Sequence, residues 1–221
     1  MNKLLSSIFV LFVTSVTSLS AGAQEIKGDA KAGEGKIAMC IGCHGIRGYQ
    51  ASFPEVYKVP MIAGQGAKYI VSALAAYQKG ERKHPTMRGI ATSLTDQDMA
   101  DLAAYYEASG HQDGAAAPGK AAEAGGKAAE LVKKGACVSC HGESFSKPID
   151  PTYPKLAGQY GDYLYQALKA YQTVDNPKVG RNNAIMMGMA KPYTHAELKL
   201  VTGYLATLPT ELKTVPQSRF R

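Results

Sequence analysis

The chain predicts an all-α fold built from two tandem copies of one small helical domain, and three observations carry that expectation. The first is a repeat: Pro60-Met61-Ile62-Ala63-Gly64-Gln65 recurs as Pro154-Lys155-Leu156-Ala157-Gly158-Gln159, and Ala73-Leu74-Ala75-Ala76-Tyr77 recurs as Ala167-Leu168-Lys169-Ala170-Tyr171, both at an offset of 94 residues. Self-similarity at a fixed spacing decides architecture before any single motif does. The second is a pair of helix starts, Thr95 with Asp98 and Thr194 with Glu197. Each places an acid three residues after a hydroxyl, as in a capping box. The third is the pattern behind those starts: Met99, Leu102, Ala103 and Tyr106 share one helical face, and so do Leu198, Val201, Leu205 and Leu208. No alternation of apolar and polar residues runs long enough to suggest a sheet.

From the N-terminus, residues 1–23 read as a secretory signal peptide, with Lys3, an apolar run from Leu4 to Val16 and the small residues Ala21-Gly22-Ala23. The run is short for a membrane span. The expected mature chain is therefore exported to the periplasm and has 198 residues, with peripheral contact to a membrane left open. Residues 24–109 form the first domain: a helix ending at a cysteine motif, an irregular stretch, a middle helix, a loop containing Met87, and the helix that starts at Thr95. Residues 110–126, rich in Gly and Ala around Pro118, read as a linker. Residues 127–221 repeat the plan.

The formal charge of +7 becomes +6 without Lys3. A basic balance invites a nucleic-acid reading, but an exported chain meets little nucleic acid, so none is expected as a partner. Export also implies an oxidising compartment, where four cysteines suggest two disulfides. Their grouping argues otherwise. All four fall in two five-residue units, Cys40-Ile41-Gly42-Cys43-His44 and Cys137-Val138-Ser139-Cys140-His141, and none is left over for a structural bridge.

Two thiols separated by two residues can add to the two vinyl groups of one haem, and the adjoining histidine can reach the iron. With its histidine the unit reads as c-type haem attachment, whereas Cys-x-x-Cys alone could be a redox disulfide or half a zinc site. Cys40, Cys43, Cys137 and Cys140 are thus the expected attachment points for two covalently bound haems, and His44 and His141 the expected proximal iron ligands.

The second axial ligand in such proteins is usually Met or His. Met87 and Met186 each precede an alanine by four residues and a capping threonine by eight. That shared register selects them as distal ligands and leaves Met187 and Met189 as apolar filling. Among the remaining histidines, His84 reads as a surface residue without a counterpart in the second copy, where Pro177-Lys178-Val179 occupies the loop. His111 falls in the linker and His195 in the first turn of a helix, both solvated positions. For Pro60 to Gln65 and Pro154 to Gln159 two readings stand. They are turns into the middle helix, or they supply a proline-fixed carbonyl that accepts a hydrogen bond from the proximal histidine and sets its tautomer.

With these residues placed, the chain after the signal segment resembles the cytochrome c4 family of dihaem class I cytochromes. The resemblance implies two small cytochrome c folds related by a pseudo-twofold axis, each around one His/Met iron. The carried-over ligands are His44 with Met87 and His141 with Met186. The chain departs from a strict repeat at Tyr193, where the first copy has Leu94, and in the crowded run Met186 to Met189.

The expected function is single-electron transfer between respiratory redox partners, a quinol-oxidising complex on one side and a terminal oxidase on the other. The protein is expected to be a carrier and not an enzyme. The rival reading makes it the dihaem subunit of a flavocytochrome c sulfide dehydrogenase or a similar periplasmic oxidoreductase, with a flavoprotein partner. A dihaem peroxidase or thiosulfate-oxidising enzyme would need one iron with an open or unusual distal position, and paired distal methionines speak against it.

Overall fold

A computed structural model describes residues 26–110 and 126–216. The predicted signal segment, nearly all of the predicted linker with His111, and residues 217–221 lie outside the described residues.

Each half opens on a short helix and a turn. In the first half α1 (Ala30–Glu34) starts at Asp29, whose carboxylate accepts from the amides of Lys31 and Ala32 and so satisfies two otherwise orphaned donors. It is followed by α2 (Ala38–His44), a hairpin of β1 (Gln50–Ala51) and β2 (Tyr57–Lys58), then α3 (Ala67–Gln78). After β3 (Arg82–Lys83) come α4 (Pro85–Ala91) and α5 (Asp96–Ser109). The second half runs α6 (Gly126–Lys134), α7 (Val138–His141), α8 (Gly161–Gln172), β4 (Gly180–Arg181), α9 (Ala184–Ala190) and α10 (His195–Ala206).

The predicted capping boxes form, with the Thr95 and Thr194 side chains accepting from the amides of Asp98 and Glu197 and both carboxylates reaching back. The predicted apolar stripes are buried. Met99, Leu102, Ala103 and Tyr106 lie inside the first half, and Leu198, Val201, Leu205 and Leu208 inside the second, where Leu208 continues the core just past the end of α10. Each half thus has a core of its own, one around Ile37, Ile41 and Leu102, the other around Leu131, Phe145 and Leu198.

The helical plan holds as expected. Among the described residues it also carries four two-residue strands, too short to show as an alternating pattern, and one of the two strand pairs joins the halves: β3 lies antiparallel to β4, with Arg82 opposite Arg181. One expectation needs correction. The segments expected to be loops around Met87 and Met186 are the short helices α4 and α9. Gly89 and Gly188 inside them suggested a loop, but both glycines face open space and a cap supplies the start. The α9 cap is the Asn183 side chain, which accepts from the Met186 amide.

The halves meet through the repeated Ala-Gly-Gln segment. The Gln65 amide group donates to the Lys155 carbonyl at 3.0 Å and accepts from the Lys155 amide at 2.9 Å. Gln159 treats Met61 in the same way, at 2.8 and 3.0 Å. Residue for residue this is a pseudo-twofold contact, in which the same surface serves both halves. Both glutamines are buried. The chain past α10 then crosses to the first half, where the Lys213 amide donates to the Ala63 carbonyl and Val215 packs on the first core.

Candidate haem sites

In each half the cysteine motif lies in and beside a short helix, α2 or α7, directly before the chain turns away. A spacing of three residues brings the two thiols to one side of a helical turn. Among the described residues no disulfide joins any of the four cysteines.

The histidine that ends each motif is oriented by backbone. His44 Nδ1 lies 2.8 Å from the Pro60 carbonyl oxygen and His141 Nδ1 lies 3.1 Å from that of Pro154. A carbonyl can only accept, so Nδ1 carries the proton and Nε2 presents its lone pair. Burial pushes both imidazoles below the ordinary histidine value, against the opposing pull of the carbonyl, and so favours the neutral ring that a metal requires. Of the two readings of the proline segments, the orienting carbonyl is the one the geometry displays, and the turn into the middle helix accompanies it.

The predicted distal residues arise at equal places. Met87 and Met186 each sit at the third position of α4 and α9, three residues after the cap. The end of each methionine helix is tied to the middle helix by a glutamine that sequence reasoning missed. Gln78 donates to the carbonyls of Ala91 and Leu94, at 3.4 and 3.2 Å, and Gln172 donates to those of Ala190 and Tyr193, both at 2.8 Å. The signal was present, since each glutamine directly follows the repeated tyrosine. Met189 is exposed and Met187 half-buried.

His84 is corrected from a surface histidine to a structural one. It is half-buried, its Nδ1 accepts from the Met87 amide to cap α4, and its Nε2 lies 3.0 Å from the Tyr57 hydroxyl. Its counterpart is Asn183, the cap of α9, and not the Pro177 loop. Both side chains offer an acceptor at the same distance from the backbone, which is why His can replace Asn there. His195 is exposed at the start of α10, as predicted.

The departure at Tyr193 has a structural use. Its ring is buried against Cys137 and its hydroxyl donates to the Leu131 carbonyl at 2.9 Å, fastening α6. In the first half the tyrosine beside the first cysteine is Tyr106 of α5, packed with Cys40, and its buried hydroxyl lies against the Cys40 thiol.

The donor set fits haem: in each half a cysteine pair in and beside one short helix, a neutral imidazole with Nε2 free, and a thioether at a fixed register. The comparisons agree. The cytochrome c family model matches residues 30–108 and again residues 126–209. The fold and the two sites therefore define a dihaem c-type cytochrome, with covalently bound haem in each of two helical domains, acting in electron transfer. The chain is 33% identical over 213 residues to cytochrome c4 of Pseudomonas aeruginosa, covering 94% of this chain and all of that protein. It is 30% identical to a thiosulfate dehydrogenase electron acceptor of Stutzerimonas stutzeri, over 88% of this chain and 89% of that one. The solved structure of reduced recombinant cytochrome c4 from Pseudomonas stutzeri superposes with a TM-score of 0.60 at 29% identity, over 82% of this chain and 99% of that one. The chain belongs to the cytochrome c4 family.

Among the described residues no helix is long and apolar enough to cross a membrane.

Proposed function

We propose that this chain is a periplasmic electron shuttle that takes single electrons from a quinol-oxidising complex and delivers them towards a terminal oxidase, acting as a carrier and not as an enzyme. The observation that carries this reading is the equal geometry of the two halves. Each offers an imidazole oriented by a proline carbonyl and a methionine three residues into a capped helix. In this assignment Cys40 and Cys43 hold one haem and Cys137 and Cys140 the other. His44 with Met87 and His141 with Met186 supply the axial ligands. When bound, each haem iron supplies one one-electron centre between its ferrous and ferric states.

Axial methionine raises the reduction potential relative to bis-histidine ligation. With both axial positions filled from the chain, no position stays open for a substrate, which favours transfer over chemistry. The domains in this reading span residues 24–109 and 127–221, joined by the linker 110–126 after removal of a signal peptide of 23 residues. Contact with either redox partner is expected to be small and transient, steered by charge around an exposed ring edge.

The likeness to a thiosulfate dehydrogenase electron acceptor favours a second reading, in which the chain receives electrons from a periplasmic oxidoreductase, whether a thiosulfate dehydrogenase or a flavoprotein. Native copurification separates the two. A free dihaem protein reduced by a quinol-oxidising complex supports the shuttle, and a stable complex with an oxidoreductase supports the rival.

The ligand assignment is tested by spectroscopic redox titration of Met87→Ala, Met186→Ala and Met187→Ala. Each of the first two changes removes half of the methionine-to-ferric-iron charge-transfer band, and the third leaves it intact. Retention of the band in Met186→Ala with loss in Met187→Ala overturns the register in the second half.

A further inference from the structure

Each peptide group that orients a proximal histidine makes a second hydrogen bond, and its partner belongs to the opposite half. The Pro60 carbonyl faces His44 Nδ1, and the same peptide group ends in the Met61 amide, which donates to Gln159 Oε1 at 3.0 Å. The Pro154 carbonyl faces His141 Nδ1, and its peptide group ends in the Lys155 amide, which donates to Gln65 Oε1 at 2.9 Å. Gln159 therefore stands behind the histidine of the first half, and Gln65 behind that of the second.

Both glutamines are held firmly in that position. Each is anchored in its own half, because the amide of the following residue, Gly66 or Tyr160, donates to the same Oε1 at 3.0 Å. Each Nε2 also donates across, from Gln65 to the Lys155 carbonyl and from Gln159 to the Met61 carbonyl. The side chains are 4% and 3% exposed, so these bonds lie away from bulk water, where a hydrogen bond is electrostatically stronger.

Hydrogen bonds in series polarise one another. A peptide group whose N–H donates has a more negative carbonyl oxygen, which draws the imidazole Nδ1–H further towards it. An imidazole so drawn is a more basic ligand at Nε2, and a more basic ligand favours ferric over ferrous iron. We infer that Gln159 and Gln65 are positioning residues that act crosswise, each setting the basicity of the proximal histidine in the opposite half and, through it, the potential of that haem. This rests on the dihaem reading above, with His44 and His141 as iron ligands. A contact that only joined the halves would have no need to end on the two peptide groups that face the histidines.

The test uses the haem-loaded protein, with two haems per chain established by mass and an imidazole Nδ1 proton assigned at each iron in the NMR spectrum of the ferrous form. A wild type lacking either overturns the dihaem reading and the crosswise role with it, whereas a wild type with both lets the variants overturn the crosswise role alone. In Gln159→Leu the His44 Nδ1 proton moves upfield and the potential of the first haem rises by about threefold in the one-electron equilibrium, about 28 mV. The His141 proton and the second haem stay near their wild-type values. Gln65→Leu gives the mirror result. Glu55→Gln breaks an ion pair between the halves that touches neither peptide group, and it moves neither proton. Unmoved protons in folded dihaem glutamine variants overturn the crosswise role, and so do equal shifts at both haems or a shift confined to the haem of the same half. If a leucine variant does not fold, Gln159→Glu and Gln65→Glu decide. A carboxylate is a stronger acceptor for the same amide, so the Nδ1 proton of the opposite histidine moves downfield, whereas a role confined to joining the halves leaves it in place.

Discussion

From His44 to Pro60 the first half advances sixteen positions, and from His141 to Pro154 the second advances thirteen; from Tyr77 to Arg82 the first advances five, and from Tyr171 to Arg181 the second advances ten. The extra residues in each half reach the other half. The β1–β2 hairpin of the first half carries Glu55 to Gln166 and Lys169 of α8, and Lys58 to Asp162. The longer loop of the second half carries the Asn176 carbonyl to Lys83 and brings β4 to β3. Segments that repeat closely make the symmetric contacts, and segments that diverge make a clasp on each side. The second half can dispense with a hairpin because Gly142, at φ 76°, turns the chain back beside the Lys147 carbonyl, which a Cβ there would approach to 2.0 Å. Phe145 then fills the core in its place.

The halves also fasten their first helices differently. In the first, Gly33 lets α1 approach the α5 backbone, and Lys36 bridges the carboxylates of Asp98 and Asp101. In the second, α6 is held by Leu131, Val132 and the Tyr193 hydroxyl. One docking is a close approach with an ion pair, the other an apolar contact with a single tyrosine hydrogen bond.

The largest effect that would sharpen this comparison is expected from Phe145→Ala, which empties a 2%-exposed site and should cost about 3–5 kcal/mol. Denaturant unfolding followed at each haem should show the second half lost first. Next is Gly33→Val. Its Cβ would lie 2.2 Å from the Asp101 carbonyl oxygen, and a cost of about 2 kcal/mol is expected from the forced shift, confined to the first half. Equal losses in both halves would break the contrast.

Gln65→Ala and Gln159→Ala should each cost about 1–2 kcal/mol through stranded backbone groups at the interface. By symmetry the two values should agree, and a large inequality in equilibrium unfolding would refute the pseudo-twofold account.

Smallest at neutral pH is the acid response. The Lys36 ammonium holds the Asp98 and Asp101 carboxyls below the usual carboxylate value. The stability they contribute is complete above the unfolded-state value of about 3.9 and is lost as pH falls below it towards their native values. Amide exchange in α1 should therefore rise below about pH 4 before that in α6 does. Asp101→Asn should reduce the difference.

Much of the site was legible because its chemistry is local. A thiol pair with its histidine occupies five consecutive residues, and a methionine at a fixed register survives comparison of the copies. His84 reads as a surface residue when its counterpart is taken by position along the chain, across a loop of different length, whereas equivalence is set by the helix it caps. The segments around Met87 and Met186 read as loops because helices of seven residues have too little periodicity to declare themselves. Gln65 and Gln159 stood in the open as repeated residues, but nothing in one copy says that its partner is the other.

By itself, then, the sequence determined that there are two copies of a helical unit, where each last helix begins, which face it buries, and which side chains are the candidates to hold each haem. Those properties depend on neighbours within a few turns of chain. Only the tertiary structure decided that glutamines and unequal loops lock the copies together, that proline carbonyls orient the histidines, and that two arginines meet at the axis. Such contacts join residues about a hundred positions apart, and no local propensity encodes a distance that only folding brings to zero.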